Sequence, residues 1–173
     1  MVDRLEDDGY VIREGRRLIL TDAGTEVAER VVRRHRLAER LLHDVIGLEW
    51  HKVHAEAGRW EHVISDDVEQ KLITLLDDPA TCPHGNLIPG SRSSTPEPKT
   101  TLLESAVGSN MEIVRIAESI EHDDEIMLLL GTAGLTPGAM VTVTSLKAGV
   151  VSVDGPRGST QLPGRCAQGV LVR

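Results

Sequence analysis

At 173 residues and a formal net charge of -8, the chain has room for one domain or two small ones, and a hydrophobic content of 40% is enough to bury a core. No stretch approaches the roughly 18 consecutive apolar residues that a membrane span needs, and MVDRLEDD lacks the basic and apolar regions of a signal peptide. Cys82 and Cys166 are far apart and match no zinc pattern, so disulfide stapling is not expected and a reducing cytoplasm fits.

Phe is absent and only Tyr10, Trp50 and Trp60 are aromatic, so the core has to be aliphatic. The acidic balance argues against indiscriminate nucleic-acid binding, yet it is uneven. Residues 1–40 hold nine basic and nine acidic side chains, and the remainder hold ten against eighteen, so any DNA contact belongs to the first part.

In chain order, MVDRLEDDG reads as the last turns of a helix ended by Gly9. Tyr10–Ile12 and Leu18–Leu20 are β-prone runs across the basic turn Arg13–Arg17, which predicts a hairpin with Gly15 at its tip. Its arginines suit a phosphate backbone as well as they suit a solvated turn. Thr21 or Asp22 then caps a long helix whose apolar stripe is Val27, Val31, Ala38, Leu42 and Val45, and Gly47 stops it.

A second helix is expected from about Glu49 to Ile64. Ser65 caps a third, with Val68, Leu72, Ile73 and Leu76 as its buried face. Three helices this short enclose little core, so pairing with a second copy is the economical way to cover the remaining apolar surface. Residues 79–107 are rich in Pro, Gly, Ser and Thr and read as a linker. Beyond it MEIVRIA is a strand, DDEIMLLLGTAG a short helix, and AMVTVTSL, GVVSVDG and QGVLVR are strands, which together predict a small β-barrel carrying one helix.

Chemistry concentrates between His35 and His62. His35 and Glu39 are four apart, and His54, Glu61 and His62 stand at i, i+7 and i+8, so each set shares a helix face. Imidazoles and carboxylates converging from neighbouring helices make a mixed nitrogen and oxygen site suited to a divalent first-row metal. No HExxH or comparable catalytic motif is present, so an enzyme is not expected.

The stretches RRHRLAERLL, IGLEWHKVHAEAGRWEHVISDDVE, GNLIPG and AESIEHDDEIMLLLGTAGLTPGAMVTV cover most of the chain, and in that order they resemble the iron-dependent repressors of the diphtheria toxin repressor family. The resemblance implies an α+β chain in four parts. Residues 1–20 would be the tail of a recognition helix and the wing of a truncated winged helix-turn-helix. Residues 21–78 would form a helical dimerisation and metal-binding domain, 79–107 a linker, and 108–173 an SH3-like β-barrel domain.

The resemblance also implies Fe²⁺ or Mn²⁺ as the metal, with Co²⁺, Ni²⁺ or Zn²⁺ as substitutes, and a homodimer acting on operator DNA. An ancillary metal site would comprise His35, Glu39, His54, Glu118 and Glu121. A primary site would comprise Gly58, Glu61 and His62, and it is incomplete because Gly58 offers no side chain. The candidate DNA contacts are Arg4, Arg13, Arg16 and Arg17. The function implied is a metal-dependent transcriptional regulator, and the alternative is a metal-binding dimerisation module without independent DNA binding.

Overall fold

The structure, a computed structural model, describes residues 2–91 and 95–173; Met1 and residues 92–94 of the expected linker lie outside that description. Helix α1 (Val2–Asp7) leads into a hairpin of β1 (Val11–Glu14) and β2 (Arg17–Leu20), with Val11 opposite Leu20 and Glu14 opposite Arg17. The hairpin falls where the basic turn placed it.

Thr21 caps α2 (Asp22–Arg40) by accepting from the Gly24 N–H, as its short hydroxyl side chain favours. The helix widens into a π-helical turn over Leu41–Ile46, and Gly47, left-handed at φ 79°, ends it. A 3₁₀ turn (Trp50–Lys52) precedes α3 (Val53–Trp60), and Ser65 caps α4 (Asp66–Leu75). Leu37, Ala38, Leu42, Val53, Ala57, Ile64, Leu72 and Ile88 form the helical core. Two residues assigned to buried faces are instead open, Val45 at 57% and Val68 at 47% exposure. Periodicity finds an apolar stripe but not which part of it a neighbour covers.

The second unit is a six-stranded antiparallel sheet in the order β3-β8-β4-β5-β6-β7. Its strands are β3 (Thr100–Thr101), β4 (Asn110–Ile116), β5 (Met140–Lys147), β6 (Val150–Gly155), β7 (Gly158–Pro163) and β8 (Val170–Val172). Short helices α5 (Glu118–Glu121) and α7 (Gly164–Gln168) and the longer α6 (Asp124–Ala133) close it over a core of Ile113, Met127, Leu130, Val143, Val153 and Leu162, among others. The pattern missed β3, β7, α5 and α7. In GSTQLP only Leu162 is buried, so β7 carries almost no hydrophobic alternation to read.

The two units are joined by packed structure. Trp50 lies against the second core, and a Cβ on Gly131 of α6 would sit 3.3 Å from its ring. Residues 80–90, expected within the linker, form a strap between the units. Thr81 bridges Leu87, the Cys82 N–H donates to the Asn86 carbonyl at 2.8 Å, and Cys82 to Asn86 are all buried. Arginines of α2 hold the strap by its carbonyls, Arg33 on Pro89 at 2.7 Å, Arg40 on Thr81 at 2.6 Å, and Arg36 on Leu87. Arg33, Arg34, Arg36 and Arg40 are thus engaged by the strap and by carboxylates, Glu69 taking both Arg33 and Arg34. Among the described residues no helix is long and apolar enough to cross a membrane.

Candidate metal centre

The i, i+4 spacing of His35 and Glu39 places both on the face of α2 that packs against α3, and His54 meets them from the first turn of α3. Three donor atoms form a triangle. His35 Nε2 is 3.2 Å from Glu39 Oε1 and 3.0 Å from His54 Nδ1, and His54 Nδ1 is 3.1 Å from Glu39 Oε1. All three residues are buried, Glu39 with only 1% of its surface exposed.

Two more ligand-type groups arrive from outside the helical unit. The strap contributes His84, fully buried, whose Nδ1 lies 3.3 Å from Glu39 Oε1. Helix α5 contributes Glu121, whose Oε2 lies 3.0 Å from His54 Nδ1. Gly85 permits the approach. It stands at φ 87°, and a Cβ there would fall 2.2 Å from the Val114 carbonyl oxygen of β4. Only a glycine lets the strap press this closely on the sheet while turning His84 inward.

The donor atoms of Glu39, His54, His84 and Glu121 all lie within 4.8 Å of one another. Metal–ligand bonds of about 2.1 Å place neighbouring donors about 3 Å apart and opposed donors about 4 Å apart, so the set fits one small divalent ion. A second observation points the same way. Among the described residues the buried His84 Nδ1 makes no hydrogen bond, standing 3.3 Å from Glu39 Oε1 and 3.6 Å from Glu121 Oε1, while its Nε2 is satisfied by the Trp50 carbonyl at 3.1 Å. A buried nitrogen aimed at two carboxylates without a hydrogen-bond partner is a group awaiting a Lewis acid.

Burial disfavours charge on His54, yet hydrogen bonds to Glu121 and Glu39 outweigh it and raise its pKa to about 10. Burial likewise opposes the charge on His35, and Glu39 reverses that and raises it. Burial alone would push Glu39 up; the imidazoles of His35, His54 and His84 hold it well below the usual carboxylate range. Burial, reinforced by the Glu39 charge, pushes the Cys82 thiol well up, which keeps it neutral beside the cluster.

The other candidate residues lie apart. Glu118 is half-exposed and pairs with Arg36 at 3.0 Å, so the expected partner of Glu121 does not enter the cluster. Glu61 turns back to His35 Nδ1 at 2.6 Å, and His62 projects outward with 70% of its side chain exposed, 3.2 Å from Glu61 Oε1. Gly58 opens onto a cleft of about 520 Å³ that also reaches His35, His54, Glu61, Glu118 and His122, and nothing lies within 4 Å of a Cβ built there.

At the other end of the chain, Arg4 pairs with Asp8, Arg13 with Asp3 and Glu6, and exposed Arg16 and Arg17 make no ion pair among the described residues. His84, which lies in the stretch expected to be a linker, is the largest omission from the predicted site. The signal available was CPHGN itself, in which Cys82, His84 and Asn86 alternate within a segment otherwise of linker composition.

Residues 21–90 match the family described as iron dependent repressor, metal binding and dimerisation domain. The iron-dependent repressor IdeR of Mycobacterium tuberculosis is 43% identical over 183 aligned residues, covering 99% of this chain and 80% of the relative. The diphtheria toxin repressor of Corynebacterium glutamicum is 41% identical over 159, covering 87% and 70%. Among solved structures, a manganese-dependent transcriptional repressor in complex with manganese superposes with a TM-score of 0.83 at 30% identity, covering 99% of this chain and 80% of that one. IdeR of T. acidophilum superposes at 0.77 with 29% identity, covering 99% and 79%. With identity of this order along nearly its whole length, the chain belongs to the iron-dependent repressor family typified by the diphtheria toxin repressor.

Proposed function

We propose that this chain is a transcriptional regulator controlled by Fe²⁺ or Mn²⁺ and working as a cytoplasmic homodimer on operator DNA. The observation that carries the reading is the buried convergence of Glu39, His54, His84 and Glu121 around an unpartnered imidazole nitrogen. The donor set of two carboxylates and two or three imidazoles suits Mn²⁺ and Fe²⁺ and also accepts Co²⁺, Ni²⁺ or Zn²⁺. A bound divalent ion would supply positive charge that neutralises Glu39 and Glu121.

Each residue then has a task. Glu39 and His54 fix the two helices relative to each other, His84 fixes the strap, and Glu121 fixes the second unit on the same point. His35 presents Nε2 inward while Nδ1–H donates to Glu61, the outer carboxylate that orients such a ligand. Because the ligands come from both units, metal binding biases their relative placement, and through it the geometry of a dimer. Residues 21–78 serve as the dimerisation and metal unit and 108–173 as the SH3-like unit. The exposed Val68 and Leu75 of α4, flanking an apolar groove, support a dimer face there. Exposed Arg16 and Arg17 on the hairpin support a phosphate contact, with Arg4 and Arg13 already engaged by carboxylates.

Calorimetric titration of Mn²⁺ and Co²⁺ tests the centre. The parent is expected to bind, and His54→Ala and His84→Ala to lose most of that affinity; unchanged binding by both variants would overturn the assignment. A species of monomer size at micromolar concentration would refute the homodimer. Operator retardation that does not change when metal is chelated would refute the regulatory claim.

A further inference from the structure

Asn86 is nearly buried, at 7% exposure, on the strap two residues past His84. Its amide nitrogen donates to the Ile116 carbonyl at 3.0 Å and to Glu121 Oε1 at 2.7 Å. A backbone carbonyl can only accept, so the contact with Ile116 leaves the amide one allowed orientation and both its N–H groups are committed. The Glu121 carboxylate is thereby divided. Oε1 accepts from Asn86 at 2.7 Å and stands off from His84 Nδ1 at 3.6 Å, whereas Oε2 closes on His54 Nδ1 at 3.0 Å.

We infer that Asn86 is a positioning residue that holds Glu121 as a one-oxygen ligand and so sets which divalent ions the centre accepts. The inference rests on the proposed metal centre. A carboxylate with both oxygens free can bind a cation through either or both, and large ions such as Ca²⁺, which take six to eight oxygen ligands, benefit most from the second oxygen. Smaller ions with near-octahedral preference need one oxygen in a fixed direction. Asn86 supplies that direction and withholds the second oxygen, since coordination through Oε1 would leave a buried amide N–H without an acceptor. Its anchor is rigid. The backbone on either side is held by the Cys82 N–H donating to the Asn86 carbonyl and by the Ile116 N–H donating to the His84 carbonyl, each at 2.8 Å.

The test is titration of Mn²⁺ and of Ca²⁺ into the full chain, into Asn86→Ala, into Glu121→Ala and into the double variant. Emission of Trp50, whose indole donates to the Pro83 carbonyl at 3.0 Å, reports whether the strap is seated. Asn86→Ala is expected to lose roughly 10-fold to 100-fold in Mn²⁺ affinity, the usual size of an outer-sphere effect, with a smaller loss or a gain for Ca²⁺. The Mn²⁺/Ca²⁺ discrimination should therefore fall at least about tenfold.

In the Glu121→Ala background the same substitution should have no further effect on that ratio, because the carboxylate through which it acts is gone. Equal losses for both ions, or a ratio change that persists without Glu121, would overturn the inference and leave Asn86 with a strap-folding role. A parent that binds neither ion would refute the metal centre itself, a result distinct from failure of the Asn86 assignment alone.

Discussion

Glu39→Gln is the substitution that loads most onto a single atom. Oε1 of Glu39 lies 3.1–3.3 Å from nitrogens of His54, His35 and His84, in a site with 1% exposure. One unit charge pair at 3.1 Å is worth about 5 kcal/mol at an effective dielectric of about 20. The amide keeps the shape and one acceptor but not the charge. His54 responds by giving up a proton, which limits the net loss to about 3 kcal/mol at pH 7, the lower end for breaking a buried ion pair.

Metal binding suffers more, because no proton adjustment restores an anionic ligand. The Mn²⁺ affinity should fall by more than the roughly 100-fold that an outer-sphere change produces. Urea unfolding of chelator-treated protein measures the first effect, and calorimetric titration the second. A Gln variant that unfolds within about 0.5 kcal/mol of the parent, the range of a neutral surface change, while binding Mn²⁺ equally well would refute the reasoning.

The metal-free chain should lose stability as pH rises. His54 is near 10 in the folded state against 6.5 unfolded, so the folded state holds the extra proton; the stabilisation is complete below pH 6.5 and declines by up to about 1.4 kcal/mol per unit until pH 10. Melting temperatures of chelated protein from pH 6 to 10 check this, and a flat or rising curve would contradict it. Metal affinity should run the other way, tightening with pH as imidazolium protons become easier to displace, which calorimetry in buffers of different ionisation heat detects as proton release. Gly85→Ala, with its Cβ forced to 2.2 Å from the Val114 oxygen at φ 87°, should cost about 1–3 kcal/mol and weaken Mn²⁺ binding together with strap seating. Gly58→Ala should instead stabilise α3 by about 0.5–1 kcal/mol, since open space surrounds the added methyl, and leave Mn²⁺ affinity unchanged; a loss at this position would give Gly58 a role in the centre that its geometry does not suggest.

Helix-borne parts of the site were legible because a helix turns sequence spacing into spatial proximity. His35 and Glu39 at i, i+4 had to share a face, and the next predicted helix carried His54. The strap escaped for the opposite reason. Its composition is that of a linker, yet arginines from α2 bind its carbonyls and Gly85 abuts β4, partnerships set by tertiary contact at separations of tens of residues. Glu121 and Glu118 illustrate the same limit at closer range. Three residues apart on α5, one is buried on His54 and the other is drawn to Arg36, and no periodicity distinguishes them.

The division into an ancillary and a primary set also changes once His35 is seen to belong to both. Its Nε2 faces Glu39 and His54, and its Nδ1 meets Glu61 at 2.6 Å, so one imidazole ring separates the inner cluster from the outer carboxylate. A neutral imidazole has a single N–H. If Nε2 gives its lone pair to a cation, the proton resides on Nδ1 and Glu61 is held as its acceptor. Glu61 meets His35 through Oε2 while its Oε1 lies 3.2 Å from Nε2 of His62, itself largely in solvent, so one carboxylate is shared between the two sets. An ion held by Glu61 and His62 would act on the same carboxylate that accepts from His35, so the two positions are coupled through it, and by reciprocity each alters the affinity of the other by one factor.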